Sequence, residues 1–347
     1  PVGALAFLAV ASQCTAVPLD PGIAEEDAYE ALTSCRVSML ALFRGTDTEA
    51  IETAASRAHI PIKWFVMTEA DTKLAGLYAP ESSQSSTSDV APLVQSSETI
   101  GLLLRTSGTT SKSKVVPLVI GALTSNGATL AASLELKASD VCINAMPLFH
   151  IGGLSCSILA TIAAHSSVIC CRKFDAQSFY DTITTSHEVK PTWYSAIPTI
   201  HLTVLQYGQA VARGAKTSHA LRFIRSGAAA LSHADAEKLQ RFWDVPIIPT
   251  YSMSEQMPIT GKGVHVPLAE RADTVGQPLC CSFALVGDGH CRLTAPFGQQ
   301  GELVISGDNV MTAYQDAEEA NNKTYFYVAD KRYLRTGDIA KMDHDGF

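Results

Sequence analysis

The chain has few charged residues and no long uninterrupted apolar segment, and each of these absences excludes a class of protein. Asp, Glu, Lys and Arg make up only 17% of the 347 residues, and the formal net charge is −8. A chain of this acidic character lacks the basic surface of a nucleic-acid-binding protein. No apolar run reaches the roughly 18 residues that a membrane-spanning helix requires, so we expect no transmembrane segment.

Cysteine is present, but not in a metal-binding spacing. The nine cysteines are scattered along the chain, with two adjacent pairs at Cys170–Cys171 and Cys280–Cys281, and no C-x-x-C pair occurs. This pattern argues against a zinc site and against a small disulfide-bonded scaffold. It indicates reduced thiols in a cytosolic or organellar enzyme.

The order of apolar segments predicts an α/β fold. Hydrophobic residues make up 46% of the chain, enough for a substantial core, and its length suits about two domains or one large domain with subdomains. Short strand-like stretches, among them 141–146, 167–171, 192–196 and 221–225, alternate with helical ones such as 120–133. This alternation is typical of parallel strands joined by crossover helices. After residue 270 shorter β segments lie between Gly and Pro turns. We predict subdomains at 1–135, 136–270 and 271–347, the first two α/β and the last small, β-rich and incomplete.

The stretch LLLRTSGTTSKSK, residues 102–114, joins an apolar strand to a polar loop. The loop holds six hydroxyl residues, one glycine and two lysines. Hydroxyl, backbone N–H and ammonium groups are the donors that a phosphate chain needs. The pattern is not G-x-x-x-x-G-K-[ST], because the second glycine is missing. Taken alone, the stretch would also suit a solvated Ser/Thr turn.

Further polar stretches lie at predicted strand ends and turns. Residues 251–255, YSMSE, put an aromatic ring, a hydroxyl and a carboxylate on one loop, and the small residues of 226–231, SGAAAL, would let a flat ring lie against the backbone. The others are PLFHIGGL at 147–154, GELVISG at 301–307, YLRTGD at 333–338 and DHDGF at 343–347.

In this order and spacing, the stretches resemble the adenylate-forming acyl-CoA synthetase superfamily. That superfamily includes acyl- and aryl-CoA ligases, adenylation domains of peptide synthetases and beetle luciferase. The resemblance runs from the PLDP turn at 18–21 to the end of the chain. It is strongest toward the oxalate–CoA ligase and 4-coumarate–CoA ligase branch, at Thr110-Ser111, 116–118, 196–201 and 222–226.

The resemblance implies a fold and a reaction. The fold is the large N-terminal domain of layered α/β subdomains with a small β-rich, barrel-like subdomain. In the reaction, a carboxylate attacks the α-phosphorus of Mg-ATP, giving an acyl-adenylate and pyrophosphate, and a thiol then displaces AMP. The implied cofactors are ATP, Mg²⁺ and coenzyme A. The implied substrate is a small or medium carboxylic acid such as a dicarboxylate, and the implied location is cytoplasmic or peroxisomal.

The resemblance also assigns roles to residues. Thr106 to Lys114 would hold the β- and γ-phosphates, and Asp338 would accept hydrogen bonds from both ribose hydroxyls. Gly227 to Ala230 and Tyr251 would enclose adenine. The implied nucleotide-binding residues are Thr106, Ser107, Gly108, Thr109, Thr110, Lys112, Lys114, Gly227, Ala228, Ala229, Tyr251, Ser254 and Asp338. The implied catalytic residues are Glu255, Ser254, His150 and Lys114, with Glu255 as the magnesium ligand, Ser254 at the α-phosphate and His150 near the acyl group.

Several positions depart from the family pattern. Ser111 and Ser113 stand where the family usually has Gly and Pro, and Val115 replaces a Gly after the loop lysine. A β-branched residue resists backbone shapes that Gly adopts, so loop closure over pyrophosphate would differ. Ser254 replaces a common Thr, and Gln256 stands where a small residue is frequent, which would reshape the substrate pocket. His201 fits either helix packing or the lining of the acyl pocket.

The ends of the chain also bear on the interpretation. The family's Gly-Arg nucleotide contact and its mobile C-terminal lid domain with a catalytic lysine would follow Phe347, and about one early subdomain would precede Pro1. We therefore expect a fragment of a larger ligase that binds nucleotide weakly and turns over poorly. The alternatives are an adenylation domain that loads a carrier-protein thiol, a luciferase-like oxygenase and a nucleotide-binding pseudoenzyme.

Overall fold

A computed structural model describes most of the chain and divides it into two compact units. The units are Pro1–Ile120 and Gly121–Phe347. The residues described are 2–67, 78–80, 95–106, 113–185, 189–214, 217–267, 274–279, 281–286 and 298–347. The predicted division into three subdomains, with boundaries at residues 135 and 270, stays a prediction.

The first unit contains a small three-stranded sheet and a separate hairpin. Its elements are α1 (Val2–Ala11), α2 (Glu25–Ser34), β1 (Leu40–Phe43), α3 (Glu49–Arg57), β2 (Ile62–Met67), β3 (Tyr78–Pro80), β4 (Ile100–Arg105) and β5 (Val115–Val119). β1 and β2 are parallel and are joined by α3, whose buried side chains Ile51, Ala54 and Ala55 pack against Leu42 of β1. β4 and β5 pair antiparallel, so they form a hairpin whose loop is the polar stretch singled out in the sequence.

The second unit is built on a seven-stranded sheet, with the strand order β12-β11-β10-β9-β8-β6-β7. Its strands are β6 (Val141–Asn144), β7 (Ser167–Cys170), β8 (Trp193–Ala196), β9 (Phe223–Ser226), β10 (Ile247–Met253), β11 (Gln256–Gly261) and β12 (Gln277–Pro278). Five neighbouring strands, β7, β6, β8, β9 and β10, are parallel to one another. β11 and β12 extend the sheet beyond β10 in antiparallel pairs. The helices are α4 (Ile120–Ser133), a π-helix (Gly152–Leu159), α5 (Ala160–Ala163), α6 (Ala176–Thr184), α7 (Pro198–Ala212) and α8 (His233–Trp243).

The central strands of this sheet are buried on both faces. Successive side chains of a strand point to opposite faces, so Trp193 and Phe223 enter one apolar cluster. Their neighbours Tyr194 and Ile224 enter the cluster on the other face. Every residue of β8 and β9 is buried, including the polar Ser195 and the charged Arg225, and burial on both faces is typical of central parallel strands.

Local signals fix where the helices on this sheet begin. The Asp175 carboxylate accepts from the backbone N–H of Ser178 and caps α6, and the Ser232 hydroxyl accepts from the N–H of Asp235 and caps α8. Pro198 stands in the first turn of α7, where a missing N–H costs no helical hydrogen bond. These local interactions set the residue at which each helix begins after the preceding strand.

The end of the chain forms a second, four-stranded antiparallel sheet. Its elements are β13 (Ser282–Val286), β14 (Gln300–Ser306), α9 (Glu318–Thr324), β15 (Tyr325–Val328) and β16 (Lys331–Lys341), with the strand order β13-β14-β16-β15. Val286, Val304 and Tyr333 form its small core. The predicted α/β class is therefore confirmed. None of the helices among the described residues is both long enough and apolar enough to cross a membrane.

Candidate active site

The turn between β10 and β11 presents three of the predicted site residues. The two strands are antiparallel, and Met253 pairs with Gln256, so Ser254 and Glu255 occupy the tight turn between them. Tyr251 lies two residues before Met253, where the strand register shifts. Tyr251 and Ser254 are half-buried, whereas Glu255 is buried. One hairpin therefore carries the aromatic ring, the hydroxyl and the carboxylate that the sequence grouped together.

Glu255 is held by a tyrosine that the sequence reasoning missed. The Tyr314 hydroxyl donates to Oε1 of Glu255 at 2.5 Å, and the Glu255 carbonyl accepts from the N–H of Met311 at 3.0 Å. Burial raises the pKa of Tyr314 well above its ordinary value, and the negative charge of Glu255 raises it further. The tyrosine therefore stays protonated and serves as a fixed donor to the carboxylate.

The backbone of Tyr314 is itself fixed by α9. Asn321 accepts from the Tyr314 N–H at 2.8 Å and donates to the Tyr314 carbonyl at 2.9 Å. The Tyr325 hydroxyl donates to the carbonyl of Met311 at 3.0 Å. These bonds bring the segment before α9 against the hairpin turn, so the position of the Glu255 carboxylate depends on residues about sixty positions later in the chain.

The donor set at Glu255 suits a magnesium ion that arrives with a nucleotide. Among the described residues, no group of three or more His, Cys, Asp or Glu side chains is placed to hold a metal ion. Mg²⁺ is usually bound by one or two carboxylates together with substrate phosphates and water, rather than by a cage of protein ligands. A single oriented carboxylate fits that mode of binding.

The predicted adenine and ribose residues meet directly. The Tyr251 hydroxyl donates to Oδ2 of Asp338, which is 87 residues away in sequence. Asp338 lies on β16 after Gly337, which has a φ of +81° that few other residues adopt. The Asp338 N–H also donates to the Thr336 hydroxyl at 3.1 Å. Burial and the bond to Asp338 raise the pKa of Tyr251, so its hydroxyl remains a donor.

β9 is followed by a short run of small residues, and we call its exposed part, residues 228–230, the ledge. Gly227 is buried and donates its N–H to the carbonyl of Ala196 at 3.2 Å. The next three residues, 228–230, are exposed alanines, and Ala228 has a φ of +62°. Methyl side chains leave the backbone open to a flat ring. The ledge lies in the same unit as Tyr251 and Asp338, and its role in binding adenine stays a prediction.

The predicted phosphate loop is described only at its base, in the first unit. The Thr106 N–H donates to the Lys114 carbonyl at 2.9 Å, and the Lys114 N–H donates to the Thr106 hydroxyl at 3.2 Å. The Ser113 hydroxyl donates to the Thr106 carbonyl at 2.7 Å. These bonds hold the residue after β4 and the residues before β5 together. The remaining predicted residues, Ser107, Gly108, Thr109, Thr110 and Lys112, lie outside the described residues.

The two histidines occupy different environments. His150 is exposed, and its ring lies 4.7 Å from that of Phe149, just before the π-helix. His201 is fully buried in α7, with Nδ1 3.4 Å from the Tyr194 hydroxyl. Burial lowers the pKa of His201 to about 4, so it is neutral at physiological pH. The structure places His201 in the core, which agrees with helix packing rather than with an open pocket.

A second residue that the sequence reasoning did not assign is Arg225 of β9. It is buried, and its Nη1 donates to the Ser195 hydroxyl at 3.1 Å. A charged residue within a short apolar strand is a signal that the sequence offers. The structure shows in addition which groups the guanidinium contacts.

Comparison with known proteins identifies the family. Residues 3–315 match the model of the AMP-binding enzyme family. A probable CoA ligase of Humulus lupulus is 30% identical over 352 residues, which cover 98% of this chain and 63% of that protein. An oxalate–CoA ligase of Arabidopsis thaliana is 30% identical over 351 residues, which cover 98% of this chain and 64% of that protein. The chain therefore spans less than two thirds of the length of these relatives.

The fold is also shared with solved structures. ATP-bound MatB from Rhodopseudomonas palustris matches with a TM-score of 0.80 at 22% identity, covering all of this chain and 65% of that one. This likeness confirms the acyl-CoA synthetase type of fold that the motifs implied. The match to the family model over most of the chain confirms the predicted family as well. The chain belongs to the AMP-binding enzyme family.

Proposed function

We propose that this chain forms the nucleotide- and acid-binding part of an ATP-dependent acid–thiol ligase. The enzyme would activate a carboxylic acid as its adenylate and transfer the acyl group to a thiol, which we take to be coenzyme A. The observation that carries this proposal is the hydrogen bond from Tyr251 to Asp338, with Glu255 on the same hairpin as Tyr251. An aromatic ring, the carboxylate that we assign to ribose and the carboxylate that we assign to magnesium thereby lie in one unit.

Each of these groups has a defined task in nucleotide binding. The exposed ledge at 228–230 and the Tyr251 ring would contact adenine, and Asp338 would accept hydrogen bonds from ribose hydroxyls. Glu255, oriented by Tyr314, would hold the ion that accompanies the phosphates. When bound, ATP supplies an α-phosphorus open to attack and pyrophosphate as the leaving group. The protein's part is to position the acid and to stabilise developing charge.

The proposal extends to the acid and the acceptor. The relatives from Humulus lupulus and Arabidopsis thaliana are described as CoA ligases, which supports coenzyme A over a carrier protein. The second of them is described as an oxalate–CoA ligase, which supports a small acid with two carboxylates. The cysteines among the described residues are free thiols, as expected in a reducing compartment. A cytoplasmic or peroxisomal location stays a prediction.

Acid-dependent exchange between ATP and pyrophosphate tests this function. The longer ligase that we expect to contain this chain would be incubated with Mg-ATP, labelled pyrophosphate and a panel of carboxylic acids from acetate and oxalate to palmitate. We expect exchange with small acids, no exchange without acid, and little with palmitate. The proposal would be contradicted if none of the acids supported exchange and Mg-ATP left the melting temperature unchanged.

A further inference from the structure

Arg225 is a buried cation for which the described part of the chain offers no acidic partner. It lies on β9, near the middle of the main sheet, and only 2% of it is exposed. Its Nη1 donates to the Ser195 hydroxyl, but its Nη2 has no hydrogen-bond partner. Within the part of the chain that the structure describes, no Asp or Glu side chain forms an ion pair with it.

Arg222, the residue just before β9, provides a comparison within the same part of the chain. Its side chain is one third exposed, and its Nη1 lies 2.6 Å from Oδ2 of Asp140. Arg225 has neither this exposure nor a carboxylate. A buried charge is unfavourable unless it is paired and hydrogen-bonded. The position therefore favours a counter-charge, which the described residues of the chain do not provide.

The surroundings of the guanidinium indicate where that counter-charge would lie. A Cβ placed on Gly227 would be 3.3 Å from Arg225 Nη1 and 3.1 Å from the Thr250 hydroxyl oxygen. The guanidinium thus lies against the backbone at the start of the ledge at 228–230. Ser195 and Thr250 line the same place with hydroxyl groups. A guanidinium and hydroxyls, with no acid among them, make a site for an anionic oxygen group.

We propose that Arg225 binds a second carboxylate of the acid substrate and so selects small dicarboxylic acids over monocarboxylic acids of similar size. This inference rests on the proposed function, because it takes the ledge as the edge of the acid- and nucleotide-binding site. One carboxylate of the acid is then free to be activated, and the other is fixed by Arg225 Nη2. A substrate with a methyl group in that place would leave the guanidinium buried and unpaired.

A purely structural role for Arg225 makes a different prediction. If the bond to Ser195 were its purpose, replacing the arginine would lower the stability of the ligand-free protein and leave the preference among acids unchanged. If the arginine serves to bind an anion, replacing it with an apolar residue of similar length removes a buried charge that is unpaired in the ligand-free protein. The ligand-free protein then keeps its melting temperature or gains a higher one, while recognition of dicarboxylates is lost.

The experiment compares acid binding in four proteins: the wild-type chain, Arg225→Met, Arg225→Lys and Arg241→Met. Arg241 is an exposed residue in the last turn of α8 and serves as the matched control. Each protein is titrated calorimetrically with malonate, oxalate, propionate and acetate in the presence of Mg-ATP, and its melting temperature is recorded with and without each acid. Mg-ATP alone is included, because stabilisation by nucleotide reports on the proposed function independently of Arg225.

We expect the wild type and Arg241→Met to bind malonate or oxalate at least about tenfold more tightly than the monocarboxylates. This is the size of effect that one hydrogen-bonded charge pair gives. Arg225→Met should lose that preference, keep its stabilisation by Mg-ATP and show an unchanged or higher ligand-free melting temperature. Arg225→Lys, which keeps the charge but not the forked donors, should bind malonate more weakly and retain a preference.

The inference is overturned if the wild type shows no preference for the dicarboxylates, or if Arg225→Met keeps the preference. It is also overturned if both variants bind malonate normally and melt at lower temperature, since the arginine is then structural. Should Arg225→Met fail to fold, Arg225→Lys decides, because unchanged malonate binding in that variant contradicts the inference. Stabilisation by Mg-ATP without dicarboxylate preference rejects the role of Arg225 alone, whereas loss of both rejects the proposed function.

Discussion

The Tyr314 hydroxyl donates a hydrogen bond to the Glu255 carboxylate at 2.5 Å, across 59 residues of sequence. Both side chains are buried, with 4% and 5% exposure. The contact links the hairpin turn of the main sheet to the segment that precedes α9. The carboxylate that we assign to magnesium is thereby oriented before any ion arrives, which is how preorganised sites stabilise charge without reorganisation.

Tyr314→Phe tests this link. The change removes one hydrogen bond to a buried charged group, so we expect a loss of about 1.5–3 kcal/mol in the free energy of unfolding and weaker Mg-ATP binding. Urea denaturation and nucleotide titration measure the two effects. Tyr327→Phe is the matched control, because Tyr327 is 67% exposed. Equal stability and equal nucleotide affinity in the two variants would show that the bond does not matter.

In the longer ligase that we expect to contain this chain, Glu255→Gln should reduce acid-dependent exchange of pyrophosphate at least about a hundredfold, in line with losing one preorganised electrostatic contact of roughly 3 kcal/mol. The amide keeps the size of the side chain and can still accept from Tyr314, so folding should persist. Glu237→Gln on α8 is the control, since that carboxylate is half exposed on a helix surface. Near-normal exchange by the Glu255 variant would remove Glu255 from the magnesium role.

The bond between Tyr251 and Asp338 should make these residues act together in nucleotide binding. We expect Tyr251→Phe and Asp338→Asn each to weaken ATP binding about tenfold, and the double variant to be much less affected than the two single effects added together. Residues in direct contact show such non-additivity in double-mutant cycles. Calorimetric titration of the four proteins with ATP and Mg²⁺ gives the coupling. Strict additivity would mean that the two side chains contact the nucleotide independently.

The burial of His201 predicts a pH dependence of stability. Its pKa is about 4 in the folded chain, against about 6.5 for an ordinary histidine. Between these values the unfolded chain binds a proton that the folded chain does not, so stability falls as the pH drops from 6.5 toward 4. From pH 7 to pH 5 the loss should be roughly 2 kcal/mol.

Urea denaturation at both pH values measures this effect. His201→Gln should lose most of the difference, because the amide does not titrate. The control His265→Gln, at an exposed histidine, should keep the difference. The assignment fails if His201→Gln and the wild type show the same change in stability between pH 7 and pH 5.

Much of the fold follows from the sequence because buried parallel strands have a simple signature. Short apolar runs at 141–146, 167–171, 192–196 and 221–225 predict strands, and they are found as β6, β7, β8 and β9. The helical stretch at 120–133 is found as α4. In each case one local pattern specifies one element, and every residue of β6, β8 and β9 is buried.

The site was predictable only where a motif is continuous in the chain. Tyr251, Ser254 and Glu255 share one hairpin, so their grouping is visible in five consecutive residues. Tyr314 reaches Glu255 only through the packing of a distant segment, and nothing in its local sequence signals that contact. The charge of Arg225 is visible in the sequence of its strand, but only the fold shows that no described residue pairs with its Nη2.

The most direct test of the central claim is the identity of the products formed from ATP and a small acid. The longer ligase that we expect to contain this chain would be incubated with Mg-ATP and malonate or oxalate, analysed by mass spectrometry, and analysed again after coenzyme A is added. The account predicts pyrophosphate and an acyl-adenylate in the first mixture, then AMP and a thioester in the second, with none of these when the acid is omitted. Formation of ADP and phosphate, or unchanged ATP with every acid offered, would contradict it.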